Sequence, residues 1–152
     1  MGDVVPDFEL PDQDGTSRRL YAMLVEGPVV LFFYPAAMTY GCTREACHFR
    51  DVGADYAEAG VQRLGISRDA VAKQKKFADM HSFDYPLLSD ADGEVAAIFG
   101  VRRGGVLGMI GMPVRRWTFA IGRDHRVKAV IQSETNMRTH ADEALKALSS
   151  AS

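Results

Sequence analysis

The run Val29-Val30-Leu31-Phe32-Phe33-Tyr34, closed by Pro35, most limits what this chain can fold into. Six consecutive large apolar or aromatic side chains leave no polar face. Successive residues of a strand point to opposite sides of the sheet, so both sides of this strand must be covered. Such a strand belongs at the centre of a sheet with a layer on each side. Pro35 has no amide hydrogen to continue a ladder and ends the run. The whole apolar stretch from Pro28 to Met38 is far shorter than the roughly 20 residues that span a bilayer.

Patterns on either side of this run fill in the layers. Phe8 to Leu10 and Arg18 to Leu20 flank the turn Asp12-Gln13-Asp14-Gly15 and predict an N-terminal β-hairpin. A helix is predicted from about Thr43 to Ala59, with Phe49, Val52 and Tyr56 on one side and Gly60 as its stop. Val61 to Ser67 is the next strand. Asp69 to His81 is an amphipathic helix with Val71 and Phe77 inward and Lys73, Lys75 and Lys76 outward. Leu87 and Leu88 start a further strand. Asp90 to Gly93 is a turn that caps a short helix from Val95 to Phe99. Arg116 to Ile121 and Arg126 to Ile131 form an antiparallel pair, and Ala141 to Leu148 is the closing helix. Arg102 to Pro113, with four glycines and five large apolar residues, reads as a loop carrying apolar groups. The order predicts a thioredoxin-like α/β sandwich, a central mixed β-sheet flanked by helices with an N-terminal β-hairpin.

Composition agrees with one domain over residues 1–152. The chain is 47% hydrophobic and 25% charged, which argues against disorder. A formal net charge of −2 gives no electrostatic footprint for nucleic acid or anionic lipid. Met1-Gly2-Asp3 is not a basic region leading into an apolar run, so no signal peptide is expected and the expected location is cytoplasmic. Two cysteines do not make a disulfide scaffold.

The chemistry lies in Tyr34-Pro35-Ala36-Ala37-Met38-Thr39-Tyr40-Gly41-Cys42-Thr43-Arg44-Glu45-Ala46-Cys47. Cys42 falls where a central strand has ended and a helix begins, and free amide groups in a helix's first turn favour an anion. Ionisation alone is a limited gain. A free thiol of ordinary pKa, about 8.5, is already a few per cent thiolate at pH 7, so full ionisation adds only about thirtyfold. Other groups must act on the substrate. Thr39 offers a hydroxyl that both donates and accepts. Arg116 opens a later strand and can bring a fixed cation to the same end of the sheet. Strand alternation puts Arg116, Thr118 and Ala120 on one face. Cys47 lies five residues after Cys42, which in a regular helix is roughly 140° of rotation and about 7.5 Å of rise. The resulting Cα separation of about 8.7 Å exceeds the ~7 Å limit for a disulfide. The two thiols cannot join while that helix is intact. Cys47 is expected nearer solvent than a core cysteine.

These residues resemble the peroxiredoxins, and most closely the bacterioferritin comigratory protein (peroxiredoxin Q) subfamily, over nearly the whole chain from Pro6-Asp7-Phe8 to the last helix. The resemblance rests on Pro35-x-x-x-Thr39-x-x-Cys42, on the second cysteine at Cys47, and on Phe49-Arg50-Asp51. Tyr85-Pro86-Leu87-Leu88-Ser89-Asp90 and Arg116-x-Thr118-Phe119 add to it. It implies a thiol-dependent peroxidase reducing hydrogen peroxide and small organic hydroperoxides. Cys42 would be the peroxidatic cysteine, oxidised to a sulfenic acid, and Cys47 the resolving cysteine, closing an intramolecular disulfide. Thioredoxin or a similar thiol reductant would recycle it. Thr39 and Arg116 would orient the peroxide, Pro35 would shield the thiolate, and Glu45 would have a supporting role. No metal or organic cofactor is implied. A monomer is expected first and a weak dimer second. Two positions depart from the pattern: Tyr40, where many relatives have Pro, and Gly122, where an Asp often follows the strand.

Other readings have less behind them. A thiol:disulfide oxidoreductase would need closely spaced cysteines such as Cys-x-x-Cys. Cys42, Cys47 and His48 fit no common zinc spacing. His48, His81, His125 and His140 are expected at the surface, and Arg115 is expected to be solvated. A redox-sensing or binding module on the same fold is the alternative outside catalysis.

Overall fold

The computed structural model describes residues 2–101, 114–132 and 137–150. Two short strands, β1 (Glu9–Pro11) and β2 (Ser17–Arg19), pair antiparallel with Leu10 opposite Arg18. Asp12 makes the turn between them. Its buried carboxylate accepts from the amides of Asp14 (2.9 Å) and Thr16 (3.0 Å) and from Arg18 Nε (2.9 Å).

The main sheet contains β3 (Val29–Phe33), β4 (Gln62–Ser67), β5 (Leu87–Ser89), β6 (Thr118–Ile121) and β7 (Val127–Ile131), in the order β5-β4-β3-β6-β7. β3, β4 and β5 run parallel, and β6 and β7 add antiparallel. β3 is central and every residue in it is buried, as its unbroken apolar run requires. Its alternate residues feed two separate cores. Val29, Leu31 and Phe33 pack with α1 (Leu20–Glu26), α5 (Glu94–Ile98), Val5 and Phe8. Val30 and Phe32 pack with α2 (Tyr40–Asp51), α3 (Gly53–Ala59), α4 (Val71–His81) and α6 (Met137–Ser150). This is the thioredoxin-like sandwich, with both faces of the sheet covered.

Several local expectations hold. Gly60, in the left-handed region at φ 72°, stops α3. Asp90 caps α5 with bonds from the amides of Val95 (3.2 Å) and Ala96 (2.9 Å). Lys73, Lys75 and Lys76 are exposed. Others need correction. The helix expected from Thr43 begins at Tyr40 and breaks at Val52 into α2 and α3. Gly53 follows the break, and the Arg63 guanidinium packs where its Cβ would be, 3.0 Å away. Helix α1 is absent from the sequence expectation, which ends a strand at Leu20; in the structure Leu20 opens the helix. The strand expected from Arg116 begins at Thr118: the Trp117 amide bonds to the Arg115 carbonyl at 3.0 Å, a tight turn that takes Arg116 off the ladder. The predicted loop at 102–113 lies outside the described residues.

Gly122 is buried. A Cβ there would stand 2.6 Å from Lys128 Cε and 2.8 Å from Asp124 Oδ1. These two side chains are themselves ion-paired at 2.8 Å, so an aspartate at 122 would displace them.

Candidate active site

Thr39 is the N-cap of α2, in extended conformation (φ −84°, ψ 158°), and Cys42 is the third residue of the helix. The chain reaches this point through a constrained segment. Pro35 is buried, and the Ala37 amide donates to Asp69 Oδ2 at 2.7 Å. The Ser67 hydroxyl donates to the same oxygen at 2.7 Å, so the end of β4 anchors the segment. Met38 then turns through φ 63°, a left-handed conformation that side-chain-bearing residues adopt at a cost.

The result is a cysteine in the first turn of a helix, 1% exposed, with its sulfur accepting a hydrogen bond from Arg116 Nη1 at 3.3 Å. Arg116 is itself only 7% exposed. Cys42 therefore lies in the first turn of the helix, the end whose dipole favours an anion, with a nearly buried guanidinium against its sulfur. Arg115 is exposed, as expected, with its guanidinium carbon 6.0 Å from the centre of the Trp117 ring.

The remaining predicted residues take distinct places. Thr39 is exposed, and its hydroxyl donates to the Ala36 carbonyl at 2.8 Å, one helical turn before the thiol. Cys47 sits on the same helix as Cys42 and is half-buried, and both thiols are free. Burial pushes the Cys47 thiol above the ordinary range, while Arg50 pulls it back in part. It lines an apolar cleft of about 380 Å³ with Met38, Thr43, Arg44, Met80 and His81. Glu45 is fully buried on the inner side of α2. The structure thus joins Arg116 to Cys42 directly, and it holds Cys42 and Cys47 apart within one regular helix.

One residue of the site is a correction. His140 was expected at the surface, yet it is fully buried, with Nε2 3.6 Å from Glu45 Oε2 and Nδ1 2.7 Å from Thr118 Oγ1. The sequence did hold a signal. His140 falls at i, i+4, i+8 spacing with Ala144 and Leu148, the buried stripe of α6. Bonds further along α2 fix its second half. Tyr85 donates its hydroxyl to the Ala46 carbonyl at 2.6 Å, and Arg63 Nη1 donates to the Phe49 carbonyl at 3.0 Å. His48 Nε2 is 2.9 Å from Asp142 Oδ1 on α6.

A buried cysteine beside a fixed cation, past the end of the central strand of a thioredoxin-like sheet, is an arrangement suited to thiol-redox chemistry. Relatives narrow the class. The chain belongs to the AhpC/TSA family, whose model matches residues 1–130, and within it to the peroxiredoxins, the thiol peroxidases that reduce peroxides at the expense of thiols. It is 63% identical to a peroxiredoxin of Mycobacterium tuberculosis over 97% of this chain and 94% of that one. It is 36% identical to the chloroplastic peroxiredoxin Q of Gentiana triflora over 99% of this chain and 67% of that one. Among solved structures, peroxidoxin BcpB of Mycobacterium tuberculosis superposes with a TM-score of 0.92 at 59% identity, covering 99% of this chain and 97% of that one. The bacterioferritin comigratory protein of Xanthomonas campestris, studied for its alkyl peroxide reduction, superposes with a TM-score of 0.85 at 28% identity, covering 98% and 99%. Among the described residues, no helix is long and apolar enough to cross a membrane.

Proposed function

We propose that Cys42 is the peroxidatic cysteine and Cys47 the resolving cysteine of this peroxidase. The Cys42 thiolate attacks the terminal oxygen of the peroxide. The O–O bond breaks, sulfur takes the hydroxyl as a sulfenic acid, and the alkoxide or hydroxide leaves and is protonated. The Cys47 thiol then condenses with the sulfenic acid, forming the disulfide and releasing water. A dithiol reductant of the thioredoxin type returns both cysteines to thiols and is itself oxidised to a disulfide.

The hydrogen bond from Arg116 to the Cys42 sulfur is the observation that carries this reading. The same guanidinium can follow the negative charge from sulfur to the departing oxygen as the O–O bond breaks, which is the preorganised electrostatic help this reaction needs. Thr39, its proton already committed to Ala36, keeps lone pairs to accept from the peroxide O–H. Buried Pro35 keeps water from the sulfur, and Glu45 supports α2 from behind. Cys47, lining an apolar cleft, is the sulfur that a reductant reaches more readily. Hydrogen peroxide and small organic hydroperoxides are the substrates proposed. The Xanthomonas relative's alkyl peroxide reduction supports the second class. We assign the chain as a cytoplasmic single domain acting as a monomer.

Intact mass of the reduced protein, quenched within seconds of adding one equivalent of hydrogen peroxide, tests the assignment. The expected result is loss of two hydrogens in the unaltered protein and gain of one oxygen in Cys47→Ser. No change in mass would overturn Cys42 as the nucleophile, and a sulfenic acid that persists in the unaltered protein would overturn Cys47 as the resolving thiol.

A further inference from the structure

A buried polar chain stands behind the thiol and links three elements. Glu45 on α2, His140 on α6 and Thr118 on β6 are each fully buried. His140 Nε2 lies 3.6 Å from the Glu45 carboxylate, and its other ring nitrogen shares a 2.7 Å hydrogen bond with the Thr118 hydroxyl. When that hydroxyl donates to Nδ1, the neutral ring carries its proton on Nε2, facing Glu45. Groups of this kind stay out of water only where their contacts offset lost hydration.

Their position matters because α2 must change shape. Cys42 and Cys47 lie in one helix, too far apart to bond, so the first turns must unwind before a disulfide can close. The second half of α2 is held independently by Tyr85, Arg63 and Asp142. Glu45 is the residue just before Ala46, where that fixed half begins, and its side chain must leave its buried place as the first turns open.

We propose that His140 is a positioning residue that latches α2. Through Glu45 it holds the first turn closed around Cys42 and so limits how fast the sulfenic acid reaches Cys47. The proposal rests on the resolving role assigned to Cys47 above. It governs a branch point. A Cys42 sulfenic acid either condenses with Cys47 after unwinding, releasing water, or stays in the closed helix. In the closed helix it can be oxidised by a second hydrogen peroxide to the sulfinic acid, with one oxygen passing to sulfur and the other leaving as water. A firm latch favours the second fate.

The test is rapid quench with intact mass over a range of peroxide concentrations, comparing the unaltered protein with His140→Leu and His140→Gln. Leucine leaves the Glu45 carboxylate beside an apolar chain, which favours the open helix, where Glu45 reaches water. The loss of a polar contact to this buried carboxyl predicts disulfide formation about tenfold faster in His140→Leu, with sulfinic acid appearing only at correspondingly higher peroxide. His140→Gln, whose amide keeps a polar N–H beside Glu45, should stay near the unaltered protein. Hydrogen exchange of the reduced protein should quicken at residues 40–45 in His140→Leu and stay slow at 46–51. An unchanged ratio of disulfide to sulfinic acid, or faster exchange throughout the molecule with that ratio intact, would reduce His140 to a packing residue and overturn the latch. Should His140→Leu fail to fold, Thr118→Val removes the ring's other partner and must shift the ratio the same way. Failure of the underlying assignment looks different: the unaltered protein itself would form no Cys42–Cys47 disulfide.

Discussion

At the scale of single residues the site turns on one guanidinium that serves two purposes. Arg116 donates a hydrogen bond to the Cys42 sulfur. In the mechanism proposed above it also stabilises the charge that develops on the departing oxygen. Reactions with different electrophiles separate these contributions. Alkylation of Cys42 by a neutral reagent such as iodoacetamide needs only the thiolate, whereas peroxide reduction needs the cation again in the transition state. Arg116→Ala should therefore slow peroxide reduction by about 10²–10³-fold, the usual loss for one such donor, and slow alkylation much less. Stopped-flow oxidation and timed alkylation in a Cys47→Ser background would measure both. Equal slowing would leave Arg116 with an effect on ionisation alone. The pairing was legible in the sequence from the place of Arg116 at the start of a later strand, at the same end of the sheet as Cys42, although the strand alternation expected for Arg116 does not hold, because the strand begins only at Thr118. His140 was not read correctly. An isolated histidine far down the chain has no neighbouring motif, and only the stripe with Ala144 and Leu148 marked it as buried.

At the scale of elements, α2 holds both stability and reactivity. It is a regular twelve-residue helix in the reduced protein. A disulfide between its third and eighth residues is incompatible with that regularity. Oxidation should remove roughly two turns, about an eighth of the helical far-UV circular dichroism given the described helices, and reduction should restore it. An unchanged spectrum in a form whose Cys42–Cys47 bond is verified by mass would rule out the unwinding. Strong elements such as β3 and α4 could be read from their patterns because burial of an entire strand or one helix face leaves a periodic trace. Weaker ones could not. Helix α1 is seven residues long and follows directly on a strand; Arg19 at its N-cap makes no side-chain capping bond, and the Tyr21 amide instead donates to Asp7, fourteen residues back, so no local punctuation announces it. Just past the break at Val52, Arg63 packs beside Gly53, a contact between distant parts of the chain that leaves no local pattern.

At the scale of the whole molecule, the question is what keeps the sheet and the far end of α2 fixed while the first turns open. Arg63 is central to this. It donates from Nη1 and Nη2 to both carboxylate oxygens of Asp84 (2.9 and 3.1 Å) and from Nη1 to the Phe49 carbonyl, and its guanidinium carbon lies 5.0 Å from the centre of the Tyr85 ring. Tyr85 in turn holds the Ala46 carbonyl. The hydrogen bonds from Arg63 lower the Asp84 carboxyl below its ordinary value of 3.8. A carboxylate depressed in the folded state adds stability above its unfolded pKa, and that stability is lost as pH falls through the folded value. Asp84 is largely exposed at its side chain, so the contribution is small, under about 1 kcal/mol. Asp84→Asn should lower the urea midpoint slightly at neutral pH, and the difference from the unaltered protein should close as the medium is acidified below 3.8. A difference that stays constant across that range would mean the ionised carboxylate contributes nothing to the anchor. If the difference does close, acid should also loosen the fixed half of α2. Residues 46–51 should then exchange no more than about fivefold faster relative to their intrinsic rates, and still more slowly than the first turn, because Tyr85 and Asp142 continue to hold them.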